Sequence, residues 1–369
     1  MRGGPRRSRR RRRRTPAPGV AWRARGRAGR WLAFAHRGAT RVRRRRRGPV
    51  SPPGREACDG RMRSWAENRT RTFQRGVGWQ VHNPGGDDVT SADGDTTFPL
   101  MLIHGAWLSS RSWENFAEYF ERRGFDVTAP EWPRKHGDVE QLRESADELA
   151  GLGLDEIVSR YEELIRKLDQ PPVLIGHSFG GLIVELLLDR GLGRAGVALS
   201  PAPPKGILVL PFSSLKAASP ALAHPTRWHG VVPLTLEEFT YGFVNTFSPE
   251  DAAAAYERYA VPETGQILYE AGFANFHLHP PTELHFKNGE RAPLLIVGAE
   301  KDHTVPASVS HAQYKKYEQA PAKTDYLEFE GRPHLFVVGD GWEEVAAAIG
   351  TWLAGIGCTP EVAAQGASA

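Results

Sequence analysis

The sequence predicts an α/β protein with a doubly wound, mostly parallel sheet, and three observations carry that prediction. Short runs that are apolar throughout, not alternating, recur between residues 100 and 329, as expected of strands buried on both faces. Stretches of helical length and spacing separate them, which is the rhythm of a parallel sheet covered by helices. The 369 residues suffice for one large core, or a core with a smaller subdomain.

In chain order, Leu100–His104 is the first expected strand, followed by a helix over Trp113–Arg123 and a return to strand at Phe125–Pro130. Leu154, Ile157, Val158, Tyr161, Leu164, Ile165 and Leu168 recur at spacings of three and four, which makes 154–168 an amphipathic helix. Pro172–His177 is a buried strand, Phe179–Arg190 a helix and Gly196–Ser200 the next strand. Strands at Pro293–Gly298 and Tyr326–Phe329 and a helix at Trp342–Leu353 complete the series.

Residues 201–292 break this rhythm. They are rich in proline and hold 12 of the 35 aromatic residues, among them Trp228, Phe239, Tyr241, Phe243, Phe247, Tyr256, Phe273 and Phe276. An insertion leaving the carboxyl end of a central strand sits where open α/β sheets bind ligands. The expectation is a helical excursion with a small core of its own that also forms a lid over an apolar pocket. The expected organisation is therefore a core of 96–200 and 293–369, a lid insertion of 201–292, a lead-in of 62–95 with Val77–His82 as a candidate strand, and a disordered Arg-rich segment, 1–61.

Charge divides the chain in the same way. The net charge is +5, yet residues 1–60 hold 21 Arg against only Glu56 and Asp59, so the remaining 309 residues carry 27 Lys and Arg against 41 acids. A polyanion-binding reading thus applies to the N-terminal segment at most. That segment lacks the apolar run of an export signal and contains no Lys, the first Lys of the chain coming only at Lys135. A contact with nucleic acid or membrane through it is not expected, and Met62 is a candidate for the true start. Cys58 and Cys358 form neither a zinc nor a redox motif, and the longest stretch without Asp, Glu, Lys or Arg, residues 345–360, is too short to span a bilayer. A reducing, cytoplasmic setting is the expectation.

The chemistry-bearing residues follow the strands. Gly176-His177-Ser178-Phe179-Gly180 is a G-x-S-x-G pattern between a buried strand and a helix, where a sharp turn would lift the Ser178 hydroxyl above the sheet. A serine hydroxyl needs a base to remove its proton, and that base needs a third group to orient it. After the strand 293–298 comes Glu300-Lys301-Asp302, and Asp302 is the expected acid, with Glu300 its rival in the same turn. After 326–329 comes Gly331-Arg332-Pro333-His334, and His334 is the expected base. An oxyanion needs two backbone donors: Phe179 N–H, directly after the nucleophile, and Ala106 N–H, in the loop after the first strand.

His104-Gly105-Ala106-Trp107, the turn at 176–181, Asp302 within Gly298–Pro306 and His334 within Gly331–Phe336 together resemble the α/β-hydrolase superfamily over about residues 96–356. The likeness is to its serine-nucleophile branch, which contains small-ester hydrolases and hydroxynitrile lyases. The lyases usually carry Thr at the position of Gly105 and Lys at that of Leu335, so both departures argue for hydrolysis. The branches with an Asp nucleophile differ at Ser178. The resemblance implies a hydrolase acting on a carboxylic ester or related acyl substrate with apolar groups, using neither cofactor nor metal. The alternatives are cofactor-free C–C hydrolysis, perhydrolysis or hydroxynitrile cleavage on the same residues, or a binding protein that keeps the fold without catalysis.

Two further patterns are discounted. Gly191–Gly196 reads G-x-G-x-x-G, but helix precedes strand there, the reverse of a dinucleotide site. His277 and His279 could chelate a metal, yet they fit better in the core or pocket lining of the lid.

Overall fold

A computed structural model describes residues 98–209, 211–222 and 227–360. The Arg-rich segment 1–61, the lead-in with Val77–His82, and Cys58 lie outside the described residues. The strands are β1 Pro99–Ile103, β2 Asp126–Thr128, β3 Val173–His177, β4 Ala195–Leu199, β5 Val231–Val232, β6 Glu263–Thr264, β7 Leu294–Ala299 and β8 Thr324–Phe329. The helices are α1 Glu114–Glu121, α2 Val139–Glu144, α3 Leu154–Arg166, α4 Phe179–Asp189, α5 Phe212–Ala217, α6 Ser219–Leu222, α7 Leu236–Phe243, α8 Pro249–Tyr259, α9 Gly265–Gly272, α10 Ala307–Tyr317 and α11 Trp342–Gly355.

Six strands form one sheet in the order β2-β1-β3-β4-β7-β8, and every neighbouring pair is parallel. Strands β1, β3, β4 and β7 are buried at every position, which is why they read as unbroken apolar runs. The chain passes from β1 to β2 on one side and then to β3 on the other. The order reverses between β1 and β3, and the carboxyl ends of strands at such a switch point are where open α/β sheets bind ligands.

Helix α4 follows β3 and is buried from Phe179 to Leu188, so it lies in the core and not on the surface. Helix α3 is amphipathic as its spacing requires, with Leu154, Ile157, Val158, Tyr161 and Ile165 turned inward. Each such aliphatic side chain contributes about 1.5–3 kcal/mol on burial. Helix α2 is held at its start by a capping box between Asp138 and Gln141.

Helices α2 and α10 are not marked by apolar spacing. The buried face of α10 includes Ser310 and Gln313 beside Val309 and Tyr317, so polar residues interrupt the apolar stripe that would announce it. The chain between β4 and β7, neighbours in the sheet, carries α5 to α9 and the small antiparallel pair β5–β6. Its inner aromatics Phe239 and Phe243 are buried. His277 and His279 are exposed and so lie outside the lid's core, one of the two places expected for them alongside a pocket lining; the segment runs over the surface, where His279 meets Glu283 at 3.0 Å. Among the described residues no helix is long and apolar enough to cross a membrane.

Candidate active site

Ser178 stands at the junction of β3 and α4 with φ 57° and ψ −118°. A non-glycine residue at positive φ costs of order 1–3 kcal/mol and persists only where its surroundings hold it. Here the backbone is fixed on both sides, Ser178 N–H donating to Leu199 O at 2.9 Å and Ser178 O accepting from Ala202 N–H at 2.9 Å. Two glycines allow the close approach of neighbouring chain. A Cβ on Gly180 would lie 2.0 Å from Ile103 O, and one on Gly105 would lie 2.8 Å from Ser178 Cβ. The loop after β1 therefore packs directly on the serine.

Asp302 and His334 come together from the ends of β7 and β8. His334 Nδ1–H donates to Asp302 Oδ2 at 2.7 Å, and both side chains are fully buried. Asp302 Oδ1 accepts from Thr304 N–H at 2.8 Å and Val305 N–H at 2.7 Å, so three donors fix the carboxylate. The rival Glu300 is exposed and points elsewhere, to Lys301 and to Gly331 N–H. With Nδ1 committed to Asp302, the other ring nitrogen of His334, Nε2, is buried and has no hydrogen-bond partner among the described residues.

The serine and the histidine are linked through His177, a residue the sequence reading passes over. Its Nε2–H donates to His334 O at 2.9 Å, and the two rings lie 4.6 Å apart. Burial first, and then the neighbouring His334, push His177 well below the ordinary histidine value. The ring is neutral, which suits a donor to a carbonyl inside the core. Its place beside Ser178 in the Gly176–Gly181 turn is the only signal in the sequence.

Ala106 is buried in the loop that packs on Ser178, and Phe179 is the first residue of α4, where helical geometry gives its N–H no intrahelical acceptor. Among the described residues Ala106 N–H donates to no protein acceptor, whereas the next amide, Trp107 N–H, donates to Glu263 Oε2 at 3.1 Å. His104, at the head of this loop, stacks on Trp132 and meets Glu131 at 3.0 Å. Burial alone would raise the Glu131 carboxyl, but the hydrogen bond and charge of His104, with Ser110 N–H, outweigh it and hold the group down at about 2.

The insertion touches all of these loops. Thr304 Oγ1–H donates to Gly242 O at 2.7 Å, Asn245 Nδ2–H to Lys301 O at 3.0 Å, and Leu335 N–H to Phe243 O at 2.8 Å. The Phe243 ring lies 5.1 Å from His334. Ser178 is left only 4% exposed.

Residues 100–348, two thirds of the chain, match the sequence pattern of the α/β-hydrolase family. The chain belongs to this family. Solved α/β-hydrolase-fold structures agree in architecture. A monoacylglycerol lipase from Paleococcus ferrophilus is 22% identical, with 71% of this chain and 95% of that one covered at a TM-score of 0.51. A pyrethroid hydrolase from Sphingobium faniae is 19% identical over 70% and 97% of the two chains, with a TM-score of 0.50. An extracellular α/β-hydrolase from a Paenibacillus species is 19% identical over 69% and 98%, also at 0.50. At these identities the likeness is one of fold. Within the hydrolase fold of this chain no group of three or more His, Cys, Asp or Glu side chains among the described residues forms a metal site.

Proposed function

We propose that the protein is a serine hydrolase that cleaves a carboxylic ester, or a related acyl substrate with apolar groups, through an acyl-enzyme. The observation that carries this reading is the buried Asp302–His334 pair, linked through His177 to the turn that holds the strained Ser178. The acid's bond to Nδ1 sets the ring tautomer and leaves Nε2 able to take a proton. In this reading His334 Nε2 accepts the Ser178 hydroxyl proton as Oγ attacks the acyl carbon. The oxyanion that forms accepts hydrogen bonds from Ala106 N–H and Phe179 N–H. His334 then returns the proton to the departing alcohol, and afterwards activates the water that releases the acid. Asp302 stays ionised and stabilises the imidazolium.

Fold relatives that are a monoacylglycerol lipase and a pyrethroid hydrolase favour an ester with apolar groups. The apolar Phe243 ring, 5.1 Å from His334, favours it as well. Gly105 argues against lyase chemistry needing a threonine there, since even a Cβ would meet Ser178 Cβ at 2.8 Å. The near-complete burial of Ser178 supports a lid role for the insertion 201–292, which would open for substrate to enter.

Hydrolysis of p-nitrophenyl acetate and butyrate by the purified protein tests the reading. The expected result is turnover that falls to background in Ser178→Ala and His334→Ala. Equal turnover in parent and Ser178→Ala would sink it. A panel that adds a β-diketone, a peracid assay and a cyanohydrin separates ester cleavage from the other reactions this set of residues could run.

A further inference from the structure

The loop that carries Ala106 is held by an ion pair that has no part in the reaction just described. Trp107 has φ 61°, a conformation an aromatic residue adopts only under constraint. Each of its polar groups is engaged by the insertion. Its N–H donates to Glu263 Oε2 at 3.1 Å, its carbonyl accepts from Val261 N–H at 3.0 Å, and its indole Nε1–H donates to Val232 O at 2.9 Å. Glu263 and Val232 face each other as partners in the β5–β6 ladder.

Glu263 is also paired with Lys135 at 2.8 Å, and both side chains are fully buried. Lys135 Nζ–H donates in turn to Leu108 O at 2.8 Å. The pair thus brackets the dipeptide Trp107–Leu108, one member holding its N–H and the other its C=O. The remaining carboxylate oxygen accepts from Thr264 N–H at 2.9 Å, and Lys135 lies over the Trp132 ring at 4.7 Å. Three distant segments, at 107–108, 132–135 and 261–264, meet at one pair of charges.

A buried ion pair is poor evidence of stabilisation, because apolar residues of similar volume often serve the fold equally well. Its placement argues for orientation. A lone carboxylate one residue from an oxyanion donor would oppose negative charge developing there; Lys135 cancels it while leaving an acceptor that turns Trp107 N–H away from the site. We infer that Glu263, with Lys135, is a positioning residue for the oxyanion hole, fixing the peptide that presents Ala106 N–H. This inference rests on the serine-hydrolase reading above.

Two double variants separate orientation from mere packing. K135M/E263Q removes both charges and keeps an amide oxygen for Trp107 N–H; K135M/E263L removes the charges and the acceptor. The readouts are thermal midpoint, kcat and KM for p-nitrophenyl butyrate, and inhibition by an alkyl trifluoromethyl ketone. Ser178 Oγ adds to the carbonyl carbon of that ketone and its proton passes to His334, so the adduct carries the oxyanion. The expected result is that K135M/E263L loses about 10²-fold in kcat, the scale of one lost oxyanion donor. KM should stay within roughly threefold, and ketone affinity should weaken in parallel with kcat. K135M/E263Q should recover most of that loss. Equal kcat and equal ketone affinity in the two variants would overturn the inference. If the leucine variant does not fold, K135M/E263M replaces it; if neither apolar variant folds while K135M/E263Q does, the pair serves the fold and the inference is likewise overturned. Ser178→Ala run alongside keeps the two ideas apart, because undiminished activity in it rejects the hydrolase reading itself.

Discussion

At the carboxyl end of the sheet, Ser178, Asp302 and His334 are 4%, 2% and 0% exposed, while in the outer part of the insertion Leu208, Phe212, Phe276 and Leu278 are 79% to 83% exposed. The inner part of the same insertion belongs with the sheet: α7 and the β5–β6 pair are bonded to the loops of Ala106, Asp302 and His334. Helix α5, in contrast, buries no residue. The insertion thus has two parts, an inner one bonded to the loops of these residues and a loosely packed outer one. Tolerance to substitution should therefore rise from the strand ends outward.

The largest effects are expected at the strand ends. Ser178→Ala should lower kcat by about 10⁶-fold and Asp302→Asn by about 10⁴-fold, the second through loss of the tautomer that Asp302 enforces. Steady-state kinetics on a p-nitrophenyl ester read both. A loss of less than about tenfold in Asp302→Asn would mean that the carboxylate does not orient His334.

Next come two acids with opposite signs, Glu185, which is buried, and Glu131, which is partly buried. Burial raises Glu185, on α4 behind the serine, to about 8 despite the Tyr317 hydroxyl and the Arg291 charge. Its unfolded counterpart ionises near 4.5, so folding should weaken as pH climbs from 4.5 to 8 and then level off. Glu185→Gln should remove that decline and stabilise the protein by roughly 3–5 kcal/mol at pH 9. Glu131 is depressed from 4.5 to about 2, so its contribution is complete above 4.5 and is lost as pH falls toward 2. Glu131→Gln should cost about 2–3 kcal/mol at pH 7 and little at pH 2. Urea unfolding across pH measures both, and parallel profiles for parent and variant would refute the assignment concerned.

The smallest effect is expected outermost. Leu208→Ser with Phe212→Ser should change stability by no more than about 0.5 kcal/mol, since neither side chain is packed. If that pair unfolded the protein, the contrast between inner and outer insertion would collapse. A changed preference between acetate and longer acyl esters, with stability intact, would sharpen it.

Much of this was legible in the residues, and the reasons are physical. The central strands are buried on both faces and so cannot hide polar residues. The Ser178 turn needs glycine wherever chain passes close, and that need is visible as a pattern. Asp302 and His334 follow their strands directly. By contrast, Glu263 and Lys135 are 128 positions apart and neither neighbourhood refers to the other; only the fold joins them. His177 was hidden by adjacency to a more conspicuous serine. The surface position of His277 and His279 was misjudged because aromatic-rich sequence suggests burial, whereas Phe276 and Leu278 beside them are themselves exposed.

Treating the folded protein with a fluorophosphonate and mapping the adduct by peptide mass spectrometry tests most directly whether Ser178 is an activated nucleophile. The expected result is a single stoichiometric adduct on the peptide containing Ser178, absent from Ser178→Ala and slowed in His334→Ala. No labelling of the folded protein, or labelling that persists unchanged in Ser178→Ala, would contradict it.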